Sequence, residues 1–159
     1  MSKRVVYAFF ALVGLSVAPM VHAEEGAVKG RTDLRSFFQG YLAESKGEVP
    51  SLKVPAIWLF SPDGRFVARI DEAVGAAALP ETIGKPTGAS VSAVDFPKIG
   101  GILEKQGISV PANAKGQWTA LLLSREPCAE LCQSFHQTLD GVRKKQPERL
   151  RVVDLTLTL

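Results

Sequence analysis

The sequence predicts an α/β fold, and two stretches of the chain support this class. Residues Trp118 to Leu159 read as an apolar strand, a helix and a second apolar strand, which is the pattern of a βαβ unit. Residues 54–71, VPAIWLFSPDGRFVARID, predict a β-hairpin, because two strand-forming runs flank a Ser-Pro-Asp-Gly turn. Both cysteines of the chain lie in the first of these stretches, so we expect the other elements to support it.

The first 23 residues predict an export signal that is removed from the mature protein. Lys3 and Arg4 form a positive start, residues 5–17 form an apolar run too short to span a membrane, and residues 21–23 form a small-residue cleavage site. A retained N-terminal anchor is the alternative. We therefore expect a mature chain that begins at Glu24, has no stable membrane span and is periplasmic or secreted.

The mature chain has the size and charge of a single small domain. About 136 residues remain, enough for a domain with its own core, and their 17 basic and 16 acidic side chains nearly cancel. No basic stripe with interleaved aromatic residues is present, so no nucleic-acid partner is expected. Residues 24–32 are small, polar and glycine-bearing and predict a flexible leader, so the domain is expected to span 33–159.

Further helices are predicted on either side of the hairpin. Asp33 can cap a helix over 33–43, in which apolar residues recur at helical spacing. An apolar stripe predicts a second helix over 95–105. Residues 72–92 are rich in Ala, Gly, Pro and Ser and predict either a surface loop or a short helix near 72–79.

The two cysteines are the main candidates for chemistry. Cys128 and Cys132 are four residues apart, so on a helix that opens at Cys128 they lie on one face, about 6 Å apart along the axis, and a small adjustment allows a disulfide. In the first helical turn, unpaired N–H groups and the helix dipole stabilise a thiolate, so Cys128 is the predicted nucleophile and Cys132 its resolving partner. Arg125 favours that thiolate, whereas Glu126 and Glu130 oppose it.

These segments resemble parts of known proteins. A strand that runs into Cys-x-x-x-Cys at a helix N-terminus, followed by a strand, resembles the first half of a thioredoxin-like domain, and the cysteine spacing is similar to that of the Sco/SenC copper-delivery proteins. The hairpin resembles a segment of TlpA-like proteins. The resemblance covers about half of the mature chain and implies a thioredoxin-like central mixed sheet flanked by helices. It also implies a cis proline that faces the cysteines, a role that falls on Pro55.

The order of the elements departs from that resemblance, because the hairpin precedes the cysteine unit here. One explanation is a circularly permuted domain, in which Trp118 to Leu123 pairs parallel to Leu150 to Leu157 and antiparallel to Ala56 to Phe60. The other is a related α/β fold with a partial likeness. We favour permutation, since no predicted element is then missing or left over.

Copper is the second chemistry that the resemblance implies. Sco-like proteins bind it through two cysteines and a downstream histidine, but the single histidine of the mature chain, His136, lies on the cysteine helix. An unbroken helix places Cys128 and His136 about 12 Å apart along its axis, too far for one metal ion. Two thiolates alone can hold Cu(I), so Cys128 and Cys132 are the metal candidates and His136 is a weaker one. Zinc requires more ligands than the chain offers.

The sequence therefore predicts an exported thiol–disulfide exchange protein, an oxidoreductase without a cofactor whose partners are periplasmic protein thiols or disulfides. Its predicted site consists of Cys128, Cys132 and Pro55. One alternative is a Cu(I)-binding chaperone or assembly factor that uses the same cysteines. Another is a non-catalytic domain with a structural disulfide, which the chain-entropy model credits with only about 2 kcal/mol for so short a loop.

Overall fold

The computed structural model describes residues 27–46, 53–85 and 94–159. The predicted export signal and the start of the predicted leader lie outside the described residues. Among those that are described, no helix has the combination of length and hydropathy needed to cross a bilayer. Five strands and five helices follow in chain order: β1 (Val28–Asp33), α1 (Leu34–Glu44), β2 (Ala56–Phe60), β3 (Phe66–Ile70), α2 (Ala73–Ala77), α3 (Leu79–Thr82), α4 (Phe96–Glu104), β4 (Trp118–Arg125), α5 (Glu130–Lys145) and β5 (Leu150–Thr158).

The strands form one mixed sheet in the order β1-β5-β4-β2-β3. Strands β1, β5 and β4 are parallel to one another, and β2 pairs antiparallel with both β4 and β3. The two pairings predicted for the strand that begins at Trp118 are therefore confirmed. This strand, β4, is the centre of the sheet, and a short segment that contains Cys128 connects it to α5, which contains Cys132.

The sheet is covered by helices on both faces, which confirms the α/β class. Strands β2 and β4 read as continuous apolar runs because both of their faces are buried. Helices α1 and α4 cover one face, and α2, α3 and α5 cover the other. The largest fully buried side chains come from both layers: Phe37, Phe60, Phe135, Ile57, Leu59, Leu79, Ile99, Leu103, Leu121, Leu122, Leu123 and Leu139.

The hairpin and the helices near it confirm most of the predicted elements. The turn closes through a hydrogen bond from Gly64 N–H to the Ser61 carbonyl at 2.9 Å, and Gly64 has a positive φ of 82°. Helix α1 begins behind Asp33, whose side chain accepts a hydrogen bond from Ser36 N–H. Helices α2 and α3 fill the described part of 72–92 and confirm the short-helix alternative.

The prediction of a flexible leader is wrong for residues 28–32, which belong to β1. Only Thr32 of this strand is buried, so the stretch carries almost no apolar signal, and backbone pairing with β5 holds it in the sheet. Gly30 leaves room for the Ile108 side chain, because a Cβ at this position would lie 2.9 Å from Ile108 Cδ1. Strand β1 is also an element that the permuted arrangement does not contain, so the expectation that nothing is left over is wrong.

Candidate functional site

The cysteines lie where the central strand of the sheet ends and its helix begins. Strand β4 is two residues longer than predicted, because Ser124 and Arg125 continue the parallel pairing with β5. Since β4 is flanked by strands on both sides, the loop that follows it emerges from the middle of the sheet, at the carboxyl end of β4.

Cys128 and Cys132 form a disulfide with their Cα atoms 5.4 Å apart. The predicted helix start at Cys128 is wrong, because α5 begins at Glu130 and Ala129 is the residue before it. Ala129 has no side chain that can cap the helix, so nothing in the sequence marks this boundary. Cys128 consequently lies just ahead of the helix, and Cys132 occupies its first turn.

The two cysteines differ in their access to solvent. Cys132 is 2% exposed, whereas Cys128 is partly exposed. The Gln133 side chain reaches back and donates a hydrogen bond to the Cys128 carbonyl at 3.4 Å. Cys128 also precedes a helix start, where backbone N–H groups without intrahelical partners favour a negative charge. These observations place the accessible sulfur at Cys128 and the protected one at Cys132.

Pro55 lies at the same end of the sheet as the cysteine loop. It immediately precedes Ala56, which pairs with Leu123 near the end of β4. The Val54–Pro55 peptide bond is cis, which is the conformation that the resemblance implies, and Glu126–Pro127 is a second cis peptide bond.

A depression beside these residues offers room for another chain. Its volume is about 910 Å³, and its lining includes Val54, Arg125 and the apolar side chains of Leu34, Phe38 and Leu159. The depression therefore extends from Val54, the residue before Pro55, to Arg125 at the end of β4.

The charges around Cys128 are partly compensated. The Glu126 carboxylate, which opposes a thiolate, forms an ion pair with Arg31 of β1. Both side chains are largely exposed, so the pair contributes little to stability. The ion pair places the Arg31 guanidinium beside Glu126, one of the two carboxylates near the cysteine loop.

His136 lies much closer to the cysteines than the sequence predicted. One imidazole nitrogen and the two sulfur atoms all lie within 4.8 Å of one another. The expected separation of about 12 Å between Cys128 and His136 assumed an unbroken helix from Cys128 onward. Because Cys128 precedes the helix and its side chain turns toward Cys132, that prediction is wrong. Cys128, Cys132 and His136 are therefore the residues that could hold a metal ion once the disulfide is opened.

Asp154 lies next to the histidine of this cluster and was missed by sequence reasoning. Its Oδ2 lies 3.8 Å from His136 Nδ1, and its side chain is 13% exposed. Its Oδ1 is buried and has no hydrogen-bond partner among the described residues. Burial raises the pKa of Asp154, and the charge of Asp140 adds to this effect, while His136 and Lys29 oppose it. A signal was available, since Asp154 is the one carboxylate in β5 and interrupts the apolar run of Val152, Val153 and Leu155.

Comparison with protein-family models, with curated proteins and with solved structures gives no match for this chain. The fold and the site together define an α/β protein with a disulfide at the junction of its central strand and the following helix. Any further assignment depends on the geometry of this cluster.

Proposed function

We propose that the protein is an exported thiol–disulfide exchange protein with a thioredoxin-like domain. The observation that carries the proposal is the unequal exposure of a disulfide at a helix start, with Cys128 partly exposed and Cys132 buried. Exchange requires one sulfur that a partner can reach and one that reacts only within the protein. A disulfide with both sulfurs buried would have no sulfur that a partner can reach.

The reaction transfers two electrons from the cysteine pair to a partner disulfide. The Cys128 thiolate attacks one partner sulfur, the partner's S–S bond breaks, and its second sulfur leaves as a thiolate. The Cys132 thiolate then attacks Cys128 Sγ, which releases the first partner sulfur as a thiolate and forms the Cys128–Cys132 disulfide. The reverse sequence oxidises a partner dithiol.

The arrangement around the cysteines supports a thioredoxin-like assignment. A central strand with a parallel neighbour on one side and an antiparallel hairpin on the other matches the permuted arrangement expected from the sequence. Pro55 at the start of that hairpin lies at the cysteine end of the sheet. We propose the depression lined by Val54 and Arg125 as the place where an extended partner segment lies during exchange.

Trapping the mixed disulfide tests this function. With Cys132→Ser, Cys128 can attack a partner but cannot be released, so the variant should accumulate disulfide-linked adducts with a model disulfide peptide. With Cys128→Ser, adducts should be much fewer, because the remaining thiol is buried. Ser134→Ala, on the same helix, is the control and should retain the wild-type disulfide and rate.

The reduction potential tests the competing role of a structural bridge. The wild-type protein, equilibrated with glutathione buffers and analysed by thiol alkylation, should titrate between about −120 and −270 mV, the range of exchange proteins. A potential below about −300 mV, or equal adduct formation by both serine variants, would overturn the proposal in favour of a structural disulfide.

A further inference from the structure

We propose that the protein binds a small organic acid, a monocarboxylate with an apolar body, in a cleft beside Arg151. Arg151 is the second residue of β5, and the parallel strand β4 begins next to it, whereas the cysteine loop follows the other end of β4. The cleft therefore lies at the end of the sheet opposite the disulfide. The inference goes beyond thiol–disulfide exchange and does not rest on it.

The cleft has the size and lining of a small-molecule site. Its volume is about 440 Å³, and its walls come from the hairpin turn, from α4 and from the loop over 110–113. The apolar part of the lining includes Phe96, Pro97, Val110 and Pro111. Cavities of this kind bind ligands whose body is apolar and whose orientation is fixed by a few polar groups.

Arg151 brings a positive charge to this cleft without a carboxylate to compensate it. Its side chain is half-buried, and its guanidinium forms no ion pair with a described residue. Burial lowers the pKa of Arg151, and no neighbouring charge contributes to that shift. A partly desolvated cation without a counter-charge costs free energy, which an anion bound in the cleft would offset.

The guanidinium is held by neutral groups and still has N–H groups to offer. Nη1 of Arg151 donates a hydrogen bond to the Pro111 carbonyl, and Nη2 donates one to Thr119 Oγ1 at 3.1 Å. The Phe96 ring lies against the guanidinium, with its centroid 4.8 Å from Cζ. One N–H on each terminal nitrogen is left without an acceptor among the described residues. Two such donors match the two oxygens of a carboxylate.

The other charges of the lining favour a ligand with a single negative charge. Two carboxylates, Asp63 and Glu104, also line the cleft. Asp63 forms an ion pair with Arg65 at 2.9 Å, whereas Glu104 is exposed and forms no ion pair with a described residue. Both carboxylates repel an anion, and the repulsion grows with the charge of that anion. A monocarboxylate is therefore expected to bind better than a phosphate.

Two adjacent glycines of α4 leave room for the body of the ligand. Gly100 and Gly101 line the cleft, and a Cβ added at either position would meet nothing within 4 Å. Glycine is less favourable than alanine inside a helix, so packing within the described residues gives no reason for either glycine. The bare backbone on this side of α4 lets an apolar group lie against the helix.

Titration of the isotope-labelled mature protein with hexanoate, followed by amide chemical shifts, tests the site. Saturable shifts should appear at Gly100 and Gly101. Hexanol, which lacks the charge, and inorganic phosphate should each bind at least about tenfold more weakly than hexanoate. Arg151→Gln should weaken hexanoate binding by more than about tenfold, because a charged hydrogen-bond donor is lost. Lys98→Gln removes an exposed cation from the same helix and should bind hexanoate as the wild type does.

Gly100→Ala gives a second test that is independent of the folding of the Arg151 variant. It should raise the midpoint of thermal unfolding and still weaken hexanoate binding by at least about threefold, because its methyl group enters the cleft. Gly141→Ala, at an equally open position of α5 outside the cleft, is the matched control and should raise the midpoint without changing binding.

Several results would overturn the proposal. These are the absence of saturable shifts, equal binding of hexanoate and hexanol, tighter binding of phosphate than of hexanoate, and wild-type affinity in both Arg151→Gln and Gly100→Ala. Failure here leaves the mixed-disulfide experiment unaffected, since that experiment uses none of these ligands.

Discussion

Replacing Asp154 by valine should stabilise the oxidised, metal-free protein at neutral pH. The Asp154 side chain is 13% exposed, and one of its carboxylate oxygens is buried without a partner among the described residues. Leaving a buried polar group unsatisfied costs about 1–3 kcal/mol. The opposing loss is small, because the ion pair with His136 is 3.8 Å long and His136 is 40% exposed. We therefore expect the free energy of unfolding to rise by about 1–3 kcal/mol at pH 7.

The pH dependence of this effect has a definite sign. Burial raises the pKa of Asp154 above its ordinary value of 3.8, so the folded protein holds this proton more tightly than the unfolded chain does. The stability that the proton contributes is complete below about pH 3.8 and is lost as the pH rises through the folded pKa. The advantage of Asp154→Val should therefore grow with pH.

Urea unfolding at several pH values between about 4 and about 8 measures both effects, with the fluorescence of Trp58 and Trp118 as the signal. Thr156→Val is the matched control, because it places the same side chain two residues further along β5 and removes no charge. A variant no more stable than the wild type, or a stability difference that is constant across this pH range, would refute the reasoning.

Two further predictions concern the scaffold. Leu122→Ala should lower the free energy of unfolding by about 2–5 kcal/mol in urea titration, because Leu122 is fully buried in the central strand; a loss below about 1 kcal/mol would contradict its place in the core. Gly64→Ala should lower the midpoint of thermal unfolding, since a positive φ costs an L-residue about 1–2 kcal/mol and the added Cβ would lie 2.9 Å from Pro97 Cδ. Gly100→Ala, a helical position with open space around it, should raise that midpoint instead.

The sequence predicted the elements whose apolar pattern is strong. Strands β2, β4 and β5 and the hairpin turn are where the pattern placed them, because burial and turn chemistry are local properties. Strand β1 was missed because its sequence, VKGRTD, buries only Thr32 and its stability comes from pairing with β5. Edge pairing of this kind joins residues more than 120 positions apart, which a local pattern does not encode.

The site was predicted less completely, and the error begins at one residue. Because Ala129 lacks a capping side chain, the sequence predicts a helix start at Cys128, two residues too early. Helical geometry at Cys128 places it about 12 Å from His136 along the axis, which excludes a cluster of the three residues. Asp154 joins the cluster from a different element, through the packing of α5 on β5.

Asp154 also helps to distinguish the two roles considered for the cysteine pair, thiol–disulfide exchange and a structural disulfide. A structural disulfide has no use for a buried carboxylate beside the neighbouring His136, and valine is expected to be the more stable residue at this position. Residues that cost stability in this way cluster at sites where their charge has a use. If Asp154→Val stabilises the protein and also changes the reduction potential of the Cys128–Cys132 disulfide, the carboxylate belongs to the site. If it stabilises the protein and leaves that reduction potential unchanged, Asp154 has no role in the chemistry of the cysteines.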